Sequence, residues 1–157
     1  MSIIDDSGIL AIATRLMRLS EQFRKDGALV YKEYGIDFEP KWFPVIYVLH
    51  HKTQLSVVEL AAEIGYTHPS TISLLKELEK QKLVRGQKDK LDQRKRIIRL
   101  TEQGRALVTR MEPVWTVFRE AFAQLLDTKH NLMQAIAEVE ANFKEQSLLQ
   151  RALQNKR

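Results

Sequence analysis

Two helix-start signals sit back to back in the middle of this chain. Ser56-Val57-Val58-Glu59 reads as a capping box, in which hydroxyl and carboxylate each satisfy a backbone N–H that the first helical turn leaves without a partner. Leu60, Ala61 and Ile64 then fall on one inward face, and Gly65 stops the helix. After Tyr66, Thr67 is a second N-cap, and Pro69 suits an early position where no intrahelical hydrogen bond is lost. The second helix is expected over Ser70–Gln81, anchored by Ile72, Leu75 and Leu78. Two helices joined by so tight a turn have the spacing of a helix-turn-helix.

Beyond the second helix the period changes. Leu83-Val84-Arg85 reads as a strand, Lys88–Gln93 as a polar turn, and Arg96-Ile97-Ile98-Arg99-Leu100 as the returning strand. The hairpin is strongly basic. Arg85, Lys88, Lys90, Arg94, Lys95, Arg96 and Arg99 are offset only by Asp89 and Asp92, so seven minus two equals the +5 net charge of the whole 157-residue chain. Charge concentrated in this way suits a polyanion. Just before it, Thr67, His68, Ser70, Thr71, Ser73 and Lys76 give the second helix a small, hydrogen-bonding leading end. A helix enters a major groove about 12 Å wide only if that end is not bulky, and the helix dipole favours phosphate there. The combination predicts a protein that reads duplex DNA.

The flanks read as helices, which makes the expected fold class mainly α with a small β-hairpin wing. Ile9, Ile12, Ala13, Leu16, Met17, Leu19 and Phe23 give a helix over Ile9–Phe23, and Gly27–Glu39 reads as its end and a connector. Pro40 opens a nearly all-apolar helix ending around His51. Thr101-Glu102-Gln103-Gly104 starts a long helix, kinked at Pro113, with a seam of Leu107, Met111, Val114 or Trp115, Phe118, Phe122 and Leu125. A final helix carries Leu132, Ile136, Val139, Phe143 and Leu149, with residues 150–157 fraying. The seam holds more aromatic bulk than two lone helices easily hide, so a homodimer is expected. Two-fold symmetry then predicts a pseudo-palindromic site.

Composition narrows the class. There is no cysteine, which removes disulfides, thiolate nucleophiles and thiol-based sensing. His50, His51, His68 and His130 lack metal-ligand spacing, His50 being expected partly buried and His51 exposed. No phosphate loop or nucleophile elbow is present, so neither catalysis nor a cofactor is expected. The first residues lack a basic segment followed by an apolar stretch, and no run approaches the roughly 18 apolar residues of a membrane span. A cytoplasmic location is expected.

The hairpin ends Asp92-Gln93-Arg94-Lys95-Arg96-Ile97-Ile98-Arg99-Leu100-Thr101, followed by Glu102-Gln103-Gly104. This resembles the Asp-x-Arg wing and Leu-Thr-x-x-Gly helix entry of the MarR family of bacterial transcriptional regulators. Val58-Glu59-Leu60-Ala61 and Leu78-Glu79-Lys80-Gln81-Lys82-Leu83-Val84 match the same family's short helix and recognition-helix exit. The motifs are specific from about Leu55 to Gly104.

The resemblance implies a winged-helix dimer, with residues 40–100 as the DNA-binding lobe and residues 1–39 and 101–157 as dimerisation helices. Recognition helices would enter successive major grooves while each wing reaches a minor groove. Asp92 and Arg94 would be the structured pair of the wing, and Lys88, Lys90, Lys95 and Arg96 would meet phosphates. Arg94 and Arg96 best suit a narrow minor groove. Trp42, Tyr47 and Trp115, with Tyr31 and Tyr34, would line a cavity for a small aromatic effector of a ligand-responsive repressor. Two other readings stay open: a winged-helix protein-interaction module, and a ligand or metal sensor with only weak DNA binding.

Overall fold

The computed structural model describes residues 2–156 and is mainly helical, with one three-stranded antiparallel sheet. It divides into two compact units, the first ending at Val114 and the second starting at Trp115.

The first unit opens with α1 (Ile3–Asp6), where Ser2 and Asp5 form a capping box. A 3-10 turn (Gly8–Ala11) leads into α2 (Ile12–Glu33). The helix expected to end near Phe23 therefore runs ten residues further, through Gly27. Glycine weakens a helix interior by about 1 kcal/mol relative to alanine, but Gly27 is buried, where the lack of a side chain suits a crowded site. One turn on, Tyr31 is also buried and meets the edge of Phe38 at 5.0 Å between ring centroids, so long-range packing overrides the local signal.

A 3-10 turn (Pro40–Trp42) and α3 (Phe43–His51) come next where a single helix opened by Pro40 is expected, and each carries a proline in its first turn. They lead to β1 (Gln54–Ser56), α4 (Val57–Ile64), α5 (His68–Lys80), β2 (Val84–Lys88), β3 (Arg96–Leu100) and α6 (Glu102–Leu125), which continues into the second unit. The Ser56 capping box is present, with the Ser56 N–H donating to Glu59 at 2.8 Å. β1 is a strand the sequence does not announce. It pairs with β3, setting Gln54 against Arg99 and Leu55 against Ile98, so its formation depends on a segment some forty residues away.

Three helices in this unit end in the same geometry. After α2, Gly35 N–H bonds Lys32 and Ile36 N–H bonds Tyr31. After α4, Gly65 bonds Ala62 and Tyr66 bonds Ala61. After α5, Lys82 bonds Glu79 and Leu83 bonds Leu78. These crossed pairs define the Schellman motif, which requires a left-handed residue. Gly35 and Gly65 supply it at φ +65° and +71°, whereas Lys82 adopts φ +59° despite its side chain. The core of the unit joins Ile46 and Leu49 of α3, Leu60 of α4, Leu75 and Leu78 of α5, Ile98 of β3 and Met111 of α6, all essentially sealed from solvent. Burial of each contributes about 1.5–3 kcal/mol.

The second unit comprises the rest of α6, α7 (Leu132–Glu145) and α8 (Leu148–Gln154). The single terminal helix expected from Leu132 onward is two. Asn131 caps α7, and Ser147 forms a capping box with Gln150 that starts α8, which runs on into the segment read as frayed. No helix among the described residues is long and apolar enough to cross a membrane.

Candidate nucleic-acid interface

The geometry of α5 is set at its start. Gly65 turns the chain, Thr67 Oγ1 accepts the Ser70 N–H at 3.3 Å, and the Thr67 hydroxyl donates to Ser70 Oγ at 2.9 Å. That arrangement leaves Thr67, His68, Ser70, Ser73 and Lys76 exposed, five of the six residues the sequence assigns to the reading face. Thr71 is different. It is fully buried, and its hydroxyl donates to the Thr67 carbonyl at 3.0 Å, so it anchors the helix instead of reading bases. Thr71, Leu75 and Leu78 form the sealed face of α5, while Ile72, expected among the anchors, is half-buried. Hydroxyl content alone does not distinguish the two sides. The four-residue spacing of Thr71 from Leu75 was the available signal.

A polar latch holds α5 from the side. Glu77 accepts from the Trp42 indole N–H at 3.0 Å and from Lys41 at 2.7 Å. Hydrogen bonds from Lys41 and then Trp42 hold the Glu77 carboxyl below its ordinary pKa, and Glu77 in turn raises that of Lys41.

The wing is a regular antiparallel pair, with Val84 opposite Leu100, Gly86 opposite Ile98 and Lys88 opposite Arg96. Its acidic residues shape the tip. Asp92 Oδ1 accepts the backbone N–H of Arg94 and Asp89 Oδ1 that of Leu91, each at 3.0 Å, and Asp89 N–H closes the loop on the Lys95 carbonyl at 2.9 Å. Asp92 and Arg94 are thus joined through backbone, not guanidinium. Lys88, Lys90, Arg94 and Lys95 are exposed. None of these four forms an ion pair with a carboxylate among the described residues, which leaves them available to an external anion.

Arg96 does not share that freedom. Its guanidinium forms an ion pair with Glu79 of α5, reaching it across Gly86, where a Cβ would lie 2.5 Å from Arg96 Nε. The residue expected to reach a groove instead straps the wing to the recognition helix. Glu79 reads from sequence as a solvated surface acid, and its partner lies seventeen residues on.

The residues expected to line an effector cavity are only partly assembled. Trp42 packs on the edge of Phe38 at 5.7 Å and borders a cavity of about 400 Å³ with Asp37, Gln81, Leu83, Gln103 and Arg110. Tyr47 instead lies between the tilted rings of Phe43 and His51, at centroid distances of 4.9 and 4.4 Å. Tyr31 is buried in the core, Tyr34 is half exposed, and Trp115 belongs to the second unit. His50, expected partly buried, is exposed and lies 3.3 Å from Glu112. No group of three metal-ligating side chains occurs among the described residues.

A capped helix, a tight turn, a second helix sealed on one face and a β-hairpin strapped to that helix define a winged helix-turn-helix protein. Residues 35–95 match the sequence model of the MarR family. No curated protein matches at the sequence level. Solved structures share the fold. The M. tuberculosis transcriptional regulator MOSR in complex with DNA is 20% identical, with a TM-score of 0.68, covering 85% of this chain and 94% of that one. A MarR family regulator from Neisseria meningitidis is 21% identical, with a TM-score of 0.59, covering 99% and 100%. Bordetella bronchiseptica BpsR, whose DNA binding is regulated by 6-hydroxynicotinic acid, is 22% identical, with a TM-score of 0.53, covering 83% and 98%.

Proposed function

We propose that this chain is a cytoplasmic homodimer that reads a pseudo-palindromic duplex and represses transcription, with its DNA affinity tuned by a small aromatic ligand. The observation that carries the DNA-binding reading is the pairing of two exposed devices on one compact unit. One is the polar end of α5, bearing Thr67, His68, Ser70, Ser73 and Lys76. The other is a wing tip where Lys88, Lys90, Arg94 and Lys95 form no ion pair with a carboxylate among the described residues. Phosphate contacts from the wing supply affinity, and hydroxyl and imidazole groups on the helix supply discrimination among bases.

Dimerisation by residues 1–39 and 101–157 is supported by their exposed apolar side chains. Ile9 and Leu10 are 86% and 87% exposed in the first unit, and Met133, Phe143, Leu148 and Leu149 are all more than half exposed in the second. Apolar surface of this density marks an interaction site. The cavity beside Trp42 is the place for the ligand, and the effector of BpsR supports that part of the reading by analogy.

Selection from a random duplex pool tests the proposal. A roughly palindromic site should enrich, bound by two copies of the chain. Arg94→Gln should weaken all sequences alike and lower the slope of log affinity against log salt by about 0.9 for each phosphate no longer neutralised. Ser73→Ala should change preference among sites instead. A pool that returns no enriched sequence at moderate salt overturns the proposal.

A further inference from the structure

The face of the wing sheet turned away from α5 carries a second cluster of positive charge that the DNA-reading surface does not use. Strand alternation sets the two faces apart. Arg96, Ile98 and Leu100 point to the side where Arg96 meets Glu79 of α5, so Arg99 points the other way, directly opposite Arg85 on β2 and Gln54 on β1. Like charges directly opposed across an antiparallel pair are destabilising. No carboxylate compensates them: neither Arg85 nor Arg99 forms an ion pair among the described residues, and nor does Arg105, whose guanidinium donates to the Leu100 carbonyl at 3.2 Å.

These three arginines surround one recess. With Leu49, His50 and Thr53 they border a cavity of about 260 Å³ that shares no residue with the one beside Trp42. Arg99 donates one N–H to Gln54 Oε1 at 2.8 Å, but its Nε is buried with no hydrogen-bond partner. The nearby carboxylate of Glu112 faces His50 at 3.3 Å. The cavity thus gathers three permanent cations, an apolar wall at Leu49 and a buried donor lacking an acceptor.

We propose that this recess is a binding site for a small free oxyanion, a phosphate or a carboxylate, held by Arg85, Arg99 and Arg105. Guanidinium groups present paired donors that fit such oxygens, and an anion removes the repulsion between Arg85 and Arg99 while accepting from an otherwise unsatisfied donor. Its position on the sheet face opposite α5 favours a free anion over a phosphate of a duplex lying on the reading helix. The site does not depend on the DNA-binding proposal, because occupancy is measured without DNA.

Titrating the full chain with inorganic phosphate, against sodium chloride at matched ionic strength, tests this inference, with calorimetry and thermal melting as the readouts. Acetate forms a second arm. A saturable rise in Tm beyond that in chloride is expected, with Arg85→Gln and Arg99→Gln each raising Kd at least tenfold and Lys80→Gln, at an exposed lysine outside the recess, leaving it unchanged. Without any oxyanion, Arg85→Gln should melt higher than the parent, since it removes a like-charge contact. A merely structural arginine would give the opposite sign, so a lower melting point overturns the inference even if Arg99→Gln does not fold. A response no larger than that to chloride also overturns it. A duplex phosphate as occupant would show as a salt slope for DNA binding reduced by about 0.9 in Arg85→Gln, with no saturable phosphate response. That result likewise overturns the assignment to a free anion.

Discussion

Gly104 lies in the first turn of α6, where helix propensity and packing make opposite demands. Replacing a helical glycine with alanine ordinarily stabilises by up to about 1 kcal/mol. Here an added Cβ would lie 2.1 Å from the Leu83 carbonyl oxygen and 3.4 Å from Leu100 Cδ2. The clash is with backbone, and that backbone is held on both sides. Leu83 O accepts the Thr101 N–H at 3.0 Å, Leu83 N–H donates to Leu78 O at 2.9 Å, and the Thr101 hydroxyl donates to Lys82 O at 2.6 Å. Relieving an overlap of about 1 Å means sliding α6 away from the exit of α5 and breaking part of this set. Overpacking costs about 1–3 kcal/mol, and breaking a buried hydrogen bond about 1 kcal/mol. Set against the propensity gain, Gly104→Ala should destabilise by about 2 kcal/mol. Urea unfolding monitored by circular dichroism reads this as a lower midpoint at unchanged slope. A neutral or stabilised variant would refute the claim that close approach, rather than helix formation, dictates glycine here.

Thr71→Val should cost less than about 1 kcal/mol, because the Thr67 carbonyl keeps the Thr71 N–H at 3.0 Å after the hydroxyl is removed, and it should leave base preference unchanged in a binding selection. A shifted preference would return Thr71 to the reading face. Lys82→Gly should stabilise by about 0.5–1 kcal/mol in thermal or urea melts. A side chain in the left-handed region costs about 1–2 kcal/mol, of which glycine gives part back as unfolded-state entropy. Asp5 should titrate near pH 2 by NMR, since the Arg18 guanidinium and then the Ser2 hydroxyl hold its carboxyl down to about 2. Its folded pKa is depressed, so its contribution to ordering α1 is present above about pH 4, the ordinary carboxylate value, and fades as pH falls through about 2. A midpoint at the ordinary value would show that the tie to Arg18 does not form in solution.

What the sequence discloses depends on how far each cause lies along the chain. Ser56, Glu59, Gly65 and Thr67 act within four residues, and all four do in the structure what local chemistry predicts. The hairpin is equally local, and its two strands face one another as expected. Features that need a distant partner stay hidden. Gly27 reads as a helix breaker until Tyr31 is seen packed on Phe38, β1 becomes a strand only beside β3, and α8 is obscured by a polar tail composition although Ser147 and Gln150 announce it. Among the candidate site residues, Thr71 and Arg96 illustrate the same limit. Both have the right chemistry for DNA, and both are taken up by contacts that only the folded chain creates, to Thr67 and to Glu79.

That redistribution changes the electrostatics of the wing. Seven basic residues between Arg85 and Arg99 suggest a single polyanion-binding patch, but the fold divides them into three groups. Arg96 is neutralised by Glu79, while Arg85 and Arg99 face the far side of the sheet. Lys88, Lys90, Arg94 and Lys95 remain at the tip beside Asp89 and Asp92, whose carboxylates accept backbone N–H bonds. Four cations minus two carboxylates leave the tip at +2, not +5. Affinity at such a wing rests on placing individual cations against phosphates, and the ion pair between Arg96 and Glu79 ties the hairpin to α5. Summed charge located this interface in the sequence, but the residues that cancel or redirect that charge determine what the interface can hold.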